Sequence, residues 1–201
     1  RKNLYDVIGK GNEALDYLLE LAKASEHPRA FEVVGQLTKT LIDANTNLLD
    51  IGSSPGGWSQ ISRKSITNGK VVALDIIEMK AIENVSFFKC DFLEDKTKKI
   101  ILNFFKGKLD VIISDMAANT TGNKNLDCIR TNQLCLEVIN FSLSVLKPKG
   151  IVVSKLFMGE DFLMVKNIAK EKFKKVEFFK PESSRGESKE TYIHCSLLKS
   201  L

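Results

Sequence analysis

At 201 residues, 43% hydrophobic and 27% charged, the chain can bury one sizeable core, and its composition excludes a disordered tail. The formal net charge of +5 permits a polyanionic partner without requiring one, and the excess is uneven, since residues 1–44 hold six basic and seven acidic side chains. No secretory signal and no run of about 18 apolar residues occurs, so a soluble, cytoplasmic protein without membrane contact is expected.

The chain opens with a helical period. Leu15, Leu18, Leu19, Leu21 and Ala22 recur at helical spacing, and Ser25-Glu26-His27-Pro28 then interrupts it. Pro28 suits the first turn of a second helix, from Arg29 to about Ala44, whose apolar stripe is Phe31, Val34, Leu37 and Leu41, flanked by Val33 and Ile42. Two helices joined by a short proline turn form an αα-hairpin. Residues 1–45 are therefore set apart from a second unit over 46–201.

Beyond Asn45 the period changes. Strands are expected near Leu48–Ile51, Val71–Asp75, Val85–Cys90, Val111–Ser114, Ile151–Leu156, Val176–Phe179 and Tyr192–Leu197. Helices are expected at about Gly57–Ser65, Thr97–Phe105, Ile129–Leu146 and Asp161–Phe173. This alternation predicts an α/β fold, a mainly parallel sheet with helices on both faces joined by right-handed crossovers. The last strand follows a loop rather than a helix, so it should enter antiparallel. Cys90, Cys128, Cys135 and Cys195 show no metal-ligand spacing and read as reduced core thiols; no metal site is expected.

The stretch Asp50-Ile51-Gly52-Ser53-Ser54-Pro55-Gly56-Gly57-Trp58-Ser59-Gln60 reads as a strand ending in a glycine-rich turn that opens a helix. Glycines let the backbone turn sharply and approach a ligand, and the helix start offers unpaired N–H donors. The spacing is neither that of a dinucleotide site nor that of a phosphate loop, which disfavours NAD and ATP. Asp75, Asp91 and Asp115 each close or follow an apolar β-branched run, and open parallel sheets place their ligands at such strand ends. A cofactor with hydroxyls, an amine and a positive centre fits a rim of that kind. Bland readings stand beside these: Gly56 and Gly57 as a tight turn, Trp58 as core filling, Asp75 and Asp91 as solvated strand ends or helix caps.

Four segments carry a family resemblance. Asp50 to Gln60, Ser114-Asp115-Met116-Ala117-Ala118-Asn119, Ser154-Lys155-Leu156-Phe157 and Pro181-Glu182-Ser183-Ser184-Arg185-Gly186-Glu187-Ser188 resemble, in order, the FtsJ/RrmJ-type ribose 2'-O-methyltransferases. The likeness runs from about Asn47 to the C-terminus. It implies a Rossmann-like methyltransferase sheet binding S-adenosylmethionine through Gly52, Ser53, Pro55, Gly56, Gly57, Trp58, Asp75, Asp91 and Asp115. Asp75 would accept the ribose hydroxyls and Asp91 would face the adenine amine. Lys155 would take the proton, oriented by Asp115 and Glu187, although a purely structural salt-bridge network among these three is the alternative. Asn119 and Arg185 would meet the substrate, a uridine ribose in large-subunit ribosomal RNA or the ribosomal large subunit. Lysines of the C-terminal third, including Lys147, Lys149, Lys166, Lys170, Lys172, Lys174, Lys175 and Lys180, would supply phosphate contacts or else solvated helix faces.

The resemblance is incomplete near the N-terminus. A lysine accepts a proton only when neutral, and its reference value near 10.4 must fall to roughly 7–8 for use near pH 7. A second cation nearby helps. The family carries that second lysine in Arg-Ala-x-Phe-Lys-Leu, about twenty residues before the first strand. Here the nearest counterpart is Arg29-Ala30-Phe31-Glu32-Val33, with Glu32 where the lysine belongs. Impaired catalysis is therefore expected. The segment from Asn3 to Leu37 resembles instead the helical hairpin of small terminase subunits of T4-like phages, which implies a fusion near Asn45-Thr46-Asn47; residues 1–45 would then either self-associate or, the preferred reading, cover one face of the sheet in a monomer. The alternatives are thus a non-catalytic RNA-binding or cofactor-binding protein and an oligomeric packaging scaffold.

Overall fold

The computed structural model describes residues 32, 33, 35, 42–182 and 188–199. The terminase-like hairpin, Arg185 and Glu187 fall largely or wholly outside them. Seven strands form one sheet: β1 (Leu48–Ile51), β2 (Val71–Asp75), β3 (Val85–Lys89), β4 (Leu109–Ser114), β5 (Leu146–Phe157), β6 (Phe173–Phe179) and β7 (Glu190–Leu198). Four helices connect them: α1 (Gly57–Ser65), α2 (Asp95–Phe105), α3 (Lys124–Val145) and α4 (Phe162–Lys172). Strand order is β3-β2-β1-β4-β5-β7-β6, with β7 antiparallel to both neighbours and the other pairs parallel. This is the mixed sheet expected, down to the inverted last strand.

Alternation along the strands divides the apolar residues between two cores. Leu49, Val72, Ile112 and Val152 pack with Ile101 and Phe105 of α2, Val138 and Ile139 of α3, and Val165 and Ala169 of α4. Their neighbours Leu48, Val71, Val111, Ile113, Ile151 and Val153 pack on the other face with Trp58 and Ile61 of α1. Central parallel strands covered on both faces read as unbroken apolar runs for this reason. Val33 and Ile42 belong to the second core, so part of the N-terminal stretch packs against the sheet.

Several boundaries moved. Helix α3 starts at Lys124 rather than Ile129, because the Asn123 side chain accepts the N–H groups of Asn125 and Leu126 and so caps a polar first turn. It ends at Val145, and β5 begins at Leu146, where Pro148 and Gly150 lie beside a register shift against β4. The four cysteines are free; burial pushes the Cys135 thiol up to about 12 and raises Cys195 further, as inert core thiols require.

Candidate active site

The glycine-rich turn is fixed by backbone bonds to β2. The N–H groups of Gly52 and Ser53 both donate to the Leu74 carbonyl, at 2.9 and 3.1 Å. Gly52 has φ of +74°, and a Cβ there would stand 2.5 Å from Met116 Cγ, so the turn and the loop after β4 meet where only glycine fits. Gly56, at φ of +112°, precedes α1 and contributes no side-chain cap, leaving the first N–H groups of the helix without an acceptor from that position.

At the carboxyl ends of β1 to β4 lies a cavity of about 340 Å³. Gly52, Ser54, Asp75, Asp91, Asp115 and Asn119 supply its polar wall, and Ile76, Ile77, Phe92, Leu93, Met116 and Leu134 much of its apolar wall. The two Asp75 oxygens accept the N–H groups of Ser54 and Ile77, at 2.9 and 2.8 Å. Asp91 Oδ1 accepts the Leu93 N–H at 2.9 Å. A carboxylate offers about four acceptor positions, so both can still receive donors from a ligand. Ser53, Pro55, Gly56 and Gly57 shape the turn behind this wall. Trp58 turns away: it is 6% exposed, and its ring centroid lies 5.6 Å from that of Tyr192.

Beside the cavity is a charged cluster. Lys155 is 7% exposed in β5, and its Nζ lies 2.6 Å from Asp115 Oδ1 and 3.1 Å from the Asp115 carbonyl. The register dictates the meeting, since Ser114 pairs with Ser154 and the next residues on each strand emerge together at the sheet end. The Tyr192 hydroxyl donates to the same Asp115 oxygen at 2.6 Å. Tyr192 is fully buried between the rings of Trp58 and Phe179 and pairs with Lys155 across β5 and β7. Opposed residues of an antiparallel pair share a face, and so do alternate residues of one strand. Glu190, paired with Phe157, therefore stands on the same face as Tyr192 and diagonally from Lys155.

Tyr192 and Glu190 were missed from the sequence, where the first looked like an ordinary strand aromatic. Their available signal was the alternation Glu190-Thr191-Tyr192 opposite Lys155. Asp50 is a third omission. It is completely buried in β1, accepts the Ser59 hydroxyl at 2.6 Å through Oδ2, and has no hydrogen-bond partner at Oδ1. Burial pushes its carboxyl up to about 7, the Ser59 hydroxyl opposes that, and the Asp115 and Asp75 charges add to it.

Most of the lysines did not gather here, although Lys180, which follows β6, emerges at this end of the sheet and its Nζ donates to the Ser188 carbonyl at 2.8 Å. Lys147, Lys149, Lys170, Lys172 and Lys174 lie at the other end of the sheet, at the starts of β5 and β6 and the close of α4. Asn119 does lie at the cavity, where its carbonyl accepts the Arg130 guanidinium at 3.4 Å.

A family model described as FtsJ-like methyltransferase matches residues 30–197. The chain belongs to the FtsJ-like methyltransferase family. It is similar to ribosomal RNA large subunit methyltransferase E of Pelagibacter ubique, 43% identical over 153 residues covering 76% of this chain and 75% of that protein. The corresponding protein of Rickettsia felis is 42% identical over 159 residues, covering 76% and 70%. Among solved structures, a ribosomal RNA methyltransferase of Plasmodium falciparum superposes with a TM-score of 0.75 at 26% identity, covering 87% of this chain and 97% of that one. Human methyltransferase-like protein 13, solved in complex with SAH, shares the fold, with a TM-score of 0.60 at 15% identity and coverage of 80% and 75%. The family match starts at residue 30, within the segment read as a separate hairpin.

Proposed function

We propose that this FtsJ-like methyltransferase transfers a methyl group from S-adenosylmethionine to a ribose 2'-hydroxyl of large-subunit ribosomal RNA, with a uridine as the expected target. The names of its relatives support the RNA class. The observation that carries the reading is the Lys155–Asp115–Tyr192 cluster at the mouth of the cavity edged by Asp75 and Asp91. The cavity's donor set fits the cofactor, because carboxylates suit hydroxyls and an amine while Ile76, Ile77, Phe92 and Leu93 suit a flat aromatic base. When bound, the cofactor supplies an electrophilic methyl on a sulfonium.

The protein's own task is to place a hydroxyl in line with that methyl and receive its proton. Lys155 is the proposed acceptor. Asp115 fixes the position of Nζ, and Tyr192 fixes Asp115. Glu190 is the orienting carboxylate that the strand register supplies on this face, a role the motif resemblance gives to Glu187. Asn119 and Arg185 are the proposed contacts to the target nucleotide, and Asp115 is shared between cofactor and base. Burial of Val33 and Ile42 in the methyltransferase core favours an intramolecular role for the N-terminal stretch over a terminase-like ring, and light scattering is expected to give a monomer.

Incubating the protein with undermethylated large-subunit RNA and labelled cofactor tests the reading. Label recovered on a ribose 2'-oxygen, and lost in Lys155→Met, is the expected result. Label on a base, or none at any enzyme concentration, refutes it.

A further inference from the structure

The end of the sheet opposite the cavity carries a lysine beside almost every strand from β2 to β6. Lys70 precedes β2, Lys108 precedes β4, Lys147 and Lys149 open β5, Lys199 follows β7 and Lys174 opens β6. β6 is parallel to β5, and β7 runs the other way, so all six emerge at one edge. Five strand intervals of about 4.8 Å give this row a span of about 24 Å. Lys149 and Lys155 lie six positions apart along β5, which puts the row about 20 Å from the reacting centre.

Helix C-termini also end at this edge, and lysines suit them for that reason alone. Such capping accounts for half of the row. Lys70 Nζ donates to the Phe104 carbonyl at the end of α2, Lys108 Nζ to Ser144 at the end of α3, and Lys199 Nζ to Lys170 at the end of α4. Lys147 is paired with Asp110 at 2.7 Å. Lys149 and Lys174 are exposed and have neither task, and Lys172 stands beside them at the close of α4. Among the described residues the acids in reach are few: Asp110 already engages Lys147 and the Asn47 N–H, Asp43 engages Thr46 and Asn45, and Glu171 remains.

We propose that this lysine edge is a second RNA-binding surface, which holds the phosphate backbone of a segment of the substrate RNA remote from the nucleotide being methylated. The proposal rests on the reading of the substrate as RNA. A folded RNA reaches both ends of the sheet at once; a short single strand in the active site does not. The edge then adds affinity and orientation through charge, without reading sequence.

The test compares wild-type protein, K149Q/K172Q/K174Q and a control, K80Q/K96Q/K99Q, which removes equal charge from the β3 and α2 side. Binding to a large-subunit rRNA transcript is measured from about 50 to 200 mM salt, the range over which phosphate contacts weaken strongly. Three lost contacts should make the negative slope of log affinity against log salt shallower by about two and weaken binding by about tenfold or more even at the higher salt, and further at the lower. The control should change neither by as much, and a short uridine-rich oligonucleotide should bind wild type and K149Q/K172Q/K174Q alike. An unchanged slope, or an equal loss in the control, overturns the proposal even if ribose methylation proceeds. Transcript binding that depends on the edge but yields no methyl transfer leaves the edge standing and removes the proposed function.

Discussion

Replacing Tyr192 by phenylalanine removes a bond of the proposed machinery. The ring keeps its place between Trp58 and Phe179, at centroid distances of 5.6 and 5.5 Å, while the hydroxyl that donates to Asp115 at 2.6 Å is lost. A hydrogen bond to a charged acceptor is worth about 1.5–3 kcal/mol. The Asp115 side chain is 32% exposed, so water recovers part of that. A net loss of about 1–2 kcal/mol is expected, or about 5–30-fold if it falls on the reaction step. Asp115 keeps its contact with Lys155 but gains freedom to swing. Single-turnover methylation of undermethylated RNA should therefore slow by that factor, while calorimetric affinity for the cofactor changes by much less. A folded Tyr192→Phe protein that methylates within about twofold of wild type refutes the positioning argument. Equal losses in rate and cofactor affinity would recast Tyr192 as part of the binding wall.

Three other perturbations follow from the geometry. Glu32→Lys would supply the cation that the motif resemblance expects ahead of the first strand, next to Val33, which packs in the same core as Tyr192; a methylation rate at least tenfold higher is expected, on the general scale of acid–base contributions, and no gain contradicts the cluster account. Asp75→Ala removes the acceptor of two backbone N–H groups as well as the proposed ribose partner, so titration of S-adenosylmethionine should show affinity lower by tenfold or more; unchanged affinity would place the cofactor elsewhere. Asp50 gives a pH signature of definite sign. Its folded value near 7 lies above the ordinary carboxyl value, so the folded state holds the extra proton and stability falls as pH rises from about 4 through 7, by as much as about 4 kcal/mol. Asp50→Asn should flatten the decline of Tm between pH 5 and pH 8, and parallel declines in the two proteins would contradict it.

What could be read in the sequence followed from which interactions are local. Each strand announced itself through apolar residues, β-branched at the centre of most and aromatic in β3, and the crossover pattern set the parallel sheet and its inverted last strand. Strand starts were hidden where they are polar, as at Asp110, Lys174 and Lys175, or Glu190, because pairing with neighbouring strands rather than composition extends them. The start of α3 was hidden because its first turn is polar and depends on the Asn123 cap.

The carboxylates at the strand ends were legible because a sheet has only one carboxyl edge, and Asp75, Asp91 and Asp115 indeed share a cavity there. Tyr192 was not legible. Its role depends on a register that brings it opposite Lys155 from 37 positions away, and an isolated strand gives no sign of that. Most of the lysines lie away from the site for a related reason: proximity in sequence to site motifs does not say at which end of the sheet a side chain emerges. Trp58, adjacent to the glycine turn, points inward because the first turn of α1 must cover the sheet.

The most direct test is a crystal structure of the protein with S-adenosylmethionine bound. The account predicts density along the carboxyl ends of β1 to β4, touching Asp75 and Asp91, with the methyl directed toward the amine of Lys155. Cofactor bound on another surface, or with its sulfonium turned away from Lys155 and Asp115, would contradict it.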